Sequence, residues 1–344
     1  MKVGILTFTY GDNYGQRLQN LAMQEFLKVY FDEVYTIKQV PPVTSFKQTI
    51  KTLFDSERKT KRERHKNFEQ FDREYIEYYP IRISEKNAAC FPEKEFDYFV
   101  VGSDQVWSPY SPDVNSTMFL TFTERNKRIA ISPSLSCEEI PETKIEQFTL
   151  YFDGIQNIST REYHGSEIVS RAIGREVPTL LDPTLMHDTK FWDKYSKEPS
   201  IPLPTQYCLC YCLGAKNDLD DIKCVCKKLG LKLIDLMSDK KFVTFGPSEF
   251  LYMIKNANLV ITDSYHGTIF SYIFNVPFLN FMRRGSSVNM NSRFDTLYKK
   301  LGIEPRILGE VPAEEIMQID FQDINKNIKN EQKIMKQFIK KALF

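Results

Sequence analysis

His266 is one of four histidines in the chain. It sits in Ile261-Thr-Asp-Ser-Tyr-His-Gly-Thr268, where an apolar run gives way to small polar residues. A short apolar run, followed by apolar residues at helical spacing through Phe270 and Ile273, reads as strand, turn and helix. His266 then falls at the rim of a sheet and the amino end of a helix, with Ser264, Gly267 and Thr268 around it. Free N–H groups and the helix dipole attract anions at such a place. An imidazole, whose ordinary pKa is about 6.5, suits general acid work. A turn histidine held by a neighbouring hydrogen bond fits the same residues.

The cations that would hold an anion are arginines. Arg161 follows an apolar stretch ending in Ser159-Thr160; Arg283, Arg284 and Arg293 flank Gly285-Ser-Ser287 beyond Phe281. A guanidinium binds carboxylate or phosphate through two parallel bonds, which lysine cannot do. Gly11-Asp-Asn-Tyr-Gly15 opens a helix and offers Asn13, Tyr14 and Gly15 to a phosphate or a sugar hydroxyl. It matches neither a Walker loop nor a GxGxxG fingerprint. Gly102-Ser-Asp-Gln105 places Asp104 and Gln105 at another strand end, where Asp104 orients a hydroxyl or caps the next helix. Cys208, Cys210 and Cys212 alternate and share one face of a strand. That spacing does not wrap thiols round one ion, so buried thiols and no metal site are expected.

The elements that position these residues follow a strand–helix rhythm. Val3–Phe8 reads as a strand and residues 18–27 as a helix. Asp97–Val101, Arg128–Ile131, Ile155–Ile158 and Thr179–Leu181 read as further strands, each ending in small polar or acidic residues. That is the layout of an open parallel sheet with its site at the carboxyl ends. Lys197–Thr205 carries three prolines and breaks the rhythm. Afterwards strands over 206–213, 232–236, 259–262 and 276–281 alternate with helices over 218–229 and 248–256. The expected organisation is α/β: a first Rossmann-like domain over 1–200, a second over 206–322, and a cleft between them, a preferred ligand site. Residues 323–344 form an amphipathic, lysine-bearing helix. Such a helix lies on a membrane surface or docks back on the protein, and docking is the commoner arrangement.

The totals agree. At 344 residues, with 42% hydrophobic and 26% charged, the chain has room for two cores. A net charge of +1 does not argue for nucleic acid. The basic stretch within 45–80 reads as a solvated helix face. No apolar run reaches the roughly 18–20 residues of a membrane span, and the amino end reads as a strand rather than a signal peptide, so a cytoplasmic protein is expected.

Lys2–Phe8 with Asn13-Tyr-Gly15 and Leu18-Gln19, Val101–Trp107, Ser159-Thr-Arg-Glu162, Leu181-Asp-Pro-Thr184 and Ile261–Thr268 together resemble the polysaccharide pyruvyl transferase family, in the family's order and over residues 2 to about 303. One departure is Ser132-Pro-Ser-Leu-Ser136, which ends in serine where the family often has glycine. The resemblance implies a fold like the GT-B glycosyltransferases and a role in polysaccharide biosynthesis. It implies phosphoenolpyruvate as co-substrate with no cofactor, a sugar acceptor that is free or lipid-linked, and a cyclic pyruvate ketal as product. It places the family's histidine on His266 and its arginines on Arg161 and Arg293, with Ser264, Gly267 and Thr268 on the donor side; ketal formation needs a proton on the donor's methylene carbon, and His266 is the acid expected to give it. Two other readings share this architecture: a nucleotide-sugar glycosyltransferase, and a non-catalytic member that binds glycans or a partner.

Overall fold

The computed structural model describes residues 1–40, 57–214, 219–281 and 292–343. Arg283, Arg284 and Gly285-Ser-Ser287 lie outside the described residues, as does 45–56 of the charged segment.

Short runs of two to five residues bounded by turn residues build two parallel sheets. The first holds β1 (Lys2–Leu6), β2 (Glu33–Thr36), β3 (Tyr98–Val101), β4 (Arg128–Ala130) and β5 (Asn157–Ile158), in the order β2-β1-β3-β4-β5. The second holds β6 (Tyr207–Tyr211), β7 (Lys232–Asp235), β8 (Leu259–Thr262) and β9 (Phe278–Asn280), in the order β7-β6-β8-β9. Register follows from pairs such as Gly4↔Phe99 and Cys210↔Ile261. In each sheet the chain starts in the middle, moves one way and then returns to the other side. That reversal opens a crevice at the carboxyl ends of two neighbouring strands. In the first lobe these are β1 and β3; in the second, β6 and β8.

The helices are α1 (Tyr14–Leu27), α2 (Arg58–Tyr75), α3 (Glu142–Asp153), α4 (Tyr163–Ile173), α5 (Thr189–Asp193), α6 (Leu219–Lys228), α7 (Pro247–Lys255), α8 (Tyr265–Phe274), α9 (Ser292–Leu301) and α10 (Phe321–Leu343). Asn13, Asp188 and Ser264 cap their helices with side-chain oxygens. Asn13 caps α1 by accepting from the Gln16 N–H at 3.2 Å, and Ser264 caps α8 by accepting from Gly267 N–H at 3.3 Å.

The lobes share a buried seam. Tyr14 stacks on Phe250 with ring centres 4.3 Å apart and donates to the Phe245 carbonyl at 2.9 Å. Arg64 of α2 donates to the Tyr14 hydroxyl, to the carbonyl of Asp12 in the first lobe and to that of Val243 in the second. Each aromatic ring buried here contributes roughly 1.5–3 kcal/mol. Helix α10 buries Ile324, Ile328, Met335 and Ile339. It meets the second lobe through Lys300 and Glu331, and the first through Gln332 donating to the Leu185 carbonyl at 2.7 Å.

Two expectations need correction. Thr179–Leu181 does not form a strand: only Thr179 bridges to Thr160, because Asp182 then caps a short 3-10 turn at Pro183–Met186 that takes the chain away. The strand β2 had no counterpart in the sequence reading; Glu33-Val-Tyr-Thr36 is short, and two of its four residues are not buried. The alternation of cysteines held. Cys208, Cys210 and Cys212 share one core with Ile222 and Cys226, while Tyr207, Leu209 and Tyr211 face the other.

Candidate active site

The two crevices face one another and enclose a cavity of about 150 Å³, the liquid volume of about five waters. The loop after β1 supplies Phe8 and Asn13, and the first turn of α1 supplies Gln16; the loop after β3 supplies Asp104 and Gln105. From the second lobe come Leu213 after β6, Ser264, Tyr265 and His266 after β8, and Arg293 at the start of α9.

His266 is 7% exposed and held between two elements. Its Nε2 lies 3.4 Å from Asp182 Oδ2, an ion-pair distance that is long for a hydrogen bond. Its Nδ1 edge lies against Gly15, where a Cβ would stand 2.1 Å from Nδ1. Gly15 therefore makes room for the imidazole.

Asp182 is fully buried and draws several donors together. Its Oδ2 accepts from Arg161 and from the Ser103 hydroxyl, each at 2.9 Å, while Oδ1 accepts from the N–H and hydroxyl of Thr184. Burial alone would raise its pKa. His266, Arg161 and the Thr184 N–H outweigh that and hold the carboxyl well below the usual range.

Arg161 is 1% exposed and lies beneath the cavity, its guanidinium 4.5 Å from the centre of the Tyr265 ring. Burial works against its charge, but Tyr265, Asp182, Asp104 and Glu162 around it raise its pKa. Arg293 lies 5.7 Å from the centre of the same ring and is 6% exposed. With its amide oxygen toward Arg293, Gln105 accepts from both terminal nitrogens at 2.5 and 3.2 Å. Burial first, and repulsion from Arg161 second, lower the Arg293 pKa to about 10. Arg161 Nε and Nη2 and Arg293 Nε are buried without a hydrogen-bond partner among the described residues.

Of the residues singled out from sequence, His266, Arg293, Ser264, Asn13, Asp104 and Gln105 line the cavity. Gly15 backs the imidazole. Arg161 sits below the cavity wall, not in it. Gly267 and Thr268 lie inside the first turn of α8; Thr268 donates to the Ser264 carbonyl and accepts from Asn280. Tyr14 is in the seam between lobes, away from the cavity. Asp182, Tyr265, Gln16, Phe8 and Leu213 were not singled out. Asp182 had a signal, since it ends an apolar run in Leu181-Asp-Pro-Thr184; the ring of Tyr265 had none beyond its place next to His266.

The loop Ser132–Ser136 runs under this site. Ser132 and Ser136 both have left-handed backbone, with φ of +53° and +49°. A non-glycine residue there costs roughly 1–2 kcal/mol. Glu162 offsets it: its Oε1 accepts from the Leu135 N–H at 2.8 Å, the Ser136 N–H at 3.1 Å and the Ser134 hydroxyl at 3.0 Å. Serine is thus accommodated where glycine is frequent.

Two Rossmann-like lobes around a cleft, with a terminal helix crossing back, define a GT-B-like α/β protein. The solved structures of UDP-N-acetylglucosamine 2-epimerase from Rickettsia bellii and Methanocaldococcus jannaschii are similar. They have TM-scores of 0.52 and 0.52 and identities of 10% and 13%; the matches span 98% of this chain in both cases and 96% and 99% of theirs. At such identity the likeness concerns the fold. No curated protein sequence matches the chain. The family model of polysaccharide pyruvyl transferase matches residues 13–284, and the chain belongs to that family.

Proposed function

We propose that this protein transfers the pyruvyl group of phosphoenolpyruvate onto two hydroxyls of a sugar in a polysaccharide or its precursor. The observation that carries this reading is the stack of two buried guanidiniums, Arg161 and Arg293, about the Tyr265 ring beside His266. Their unpartnered N–H groups and the depressed pKa of Arg293 favour an anion, which relieves the repulsion between them. Phosphoenolpyruvate brings a phosphate and a carboxylate.

In this reading Arg293, which lines the cavity wall, contacts the donor, and Arg161 keeps Tyr265 and Asp182 in place below. Ser264 and the amino end of α8 receive the phosphate. His266 gives a proton to the methylene carbon, leaving an oxocarbenium-like centre that one sugar hydroxyl attacks. The second hydroxyl displaces phosphate from the same carbon. One sugar proton leaves with the phosphate, the other restores His266, and the product keeps the pyruvyl carboxylate. Asp104, Asn13 and Gln16, on the opposite wall, orient the sugar hydroxyls.

The test is incubation with phosphoenolpyruvate and a panel of free and lipid-linked sugars, following phosphate release and product mass. The reading requires phosphate and a pyruvylated sugar in equal amounts. Consumption of a nucleotide sugar with phosphoenolpyruvate untouched refutes it in favour of glycosyl transfer.

A further inference from the structure

Helix α10 carries a second pattern besides its buried stripe. Lys326, Lys329, Lys333, Lys336 and Lys340 recur at spacings of three and four, and all five are exposed. At about 100° per residue they fall within a sector of about 80°, a straight ridge roughly 21 Å long. The helix has two acids, Asp323 and Glu331, and both lie off the ridge; Glu331 is taken by Lys300 at 2.5 Å. None of the five lysines has an ion pair among the described residues. The whole chain carries a net charge of only +1, so this is a local field.

We propose that the lysine ridge of α10 docks the protein on an anionic phospholipid surface. The chemistry of the ridge selects that partner. It is built from lysine alone, a hydrated point charge without the planar fork that grips single phosphates or sugar acids. Lys329 also lines a cavity of about 530 Å³ with His187, Asp188 and Phe191, but the row as a whole runs along the exposed face of one helix, whereas binders of extended polyanions use charged grooves lined with stacking rings. A row of lysines on an exposed helix face suits the smeared charge of a bilayer, and clusters of four to eight cations on such a helix have this use. The apolar face of α10 is already buried against both lobes, so attachment is electrostatic, without insertion, and therefore reversible by salt. Because α10 spans both lobes, the cleft is held at a set orientation to the surface.

Cosedimentation of the full chain with phosphatidylcholine vesicles, with and without phosphatidylserine, tests this. Binding is expected only to vesicles with phosphatidylserine, and salt should release it. Each lysine is worth about fivefold, so Lys329→Gln/Lys333→Gln/Lys336→Gln should bind roughly a hundredfold more weakly. The single reversal Lys336→Glu should lose roughly 25-fold. A matched control on α6, Lys223→Gln/Lys227→Gln/Lys228→Gln, should bind like the wild type. Binding that ignores phosphatidylserine, an equal loss in the control, or capture by soluble dextran sulfate with vesicles left unbound overturns the proposal.

Discussion

Replacing Gly15 by alanine puts a methyl group where the His266 ring already stands. The added Cβ would lie 2.1 Å from Nδ1, 2.6 Å from Cγ and 2.8 Å from Cε1. Carbon contacts settle at about 3.5 Å, so the ring must move by about 1.4 Å (3.5 less 2.1). Asp182 blocks retreat along Nε2, which is already 3.4 Å from its carboxylate. The imidazole must swing out of its place beside the cavity. A misplacement of about 1 Å in a reacting group costs about 10²-fold in rate. Stability should change far less: overpacking costs about 1–3 kcal/mol, and the gain in helix propensity at a residue of α1 returns up to about 1 kcal/mol. Gly15→Ala is therefore expected to lower kcat for phosphate release about 100-fold. Its thermal unfolding should stay within a few degrees of wild type. A Gly15→Ala protein with wild-type turnover would show that the position of the His266 ring does not matter, and the reasoning would fail.

Three further outcomes follow from the same geometry. His266→Ala should lower turnover by about 10²–10⁴-fold with donor affinity largely kept, as a donor titration beside steady-state rates would show. Asp182→Asn leaves Arg161 buried without its ion-pair partner and should cost about 3–5 kcal/mol in denaturant unfolding. Because folding depresses the Asp182 pKa, its contribution is complete above about pH 4 and is lost as pH falls through the folded value. The acid-side loss of stability should thus shrink in the Asn variant. Arg293→Lys keeps a charge but not the fork. It should weaken donor binding about 10- to 100-fold in calorimetry, and unaltered affinity would remove Arg293 from the donor site.

Local signals carried far into the fold. The four residues of β8 and the Ser264 cap of α8 stand where an apolar run followed by Asp-Ser predicts them, and with them the place of His266. The alternating cysteines of β6 likewise announced a strand with its thiols on one buried face. What sequence could not reveal depends on segments far apart in the chain. Arg161 reads as an anion-holding cation after a strand end, and nothing local shows that Asp182, 21 residues on, and Tyr265 of the other lobe close over it. Tyr14 looks like a loop residue at the mouth of a site, yet Phe250 stacks on it and Arg64 ties down its hydroxyl. Gly15 had no visible reason to be glycine, because the ring it makes room for arrives from about 250 residues away. Thr179–Leu181 has a strand's composition, but one backbone bridge is all its neighbour offers.

The proposed reaction turns on a proton passing from His266 to the methylene carbon of phosphoenolpyruvate. Running the reaction in heavy water and reading the product by mass spectrometry tests this most directly. One solvent deuteron is expected in the new methyl group of each ketal, with loss of that product in His266→Ala. A product that keeps the methylene, or full deuterium incorporation without His266, would contradict it.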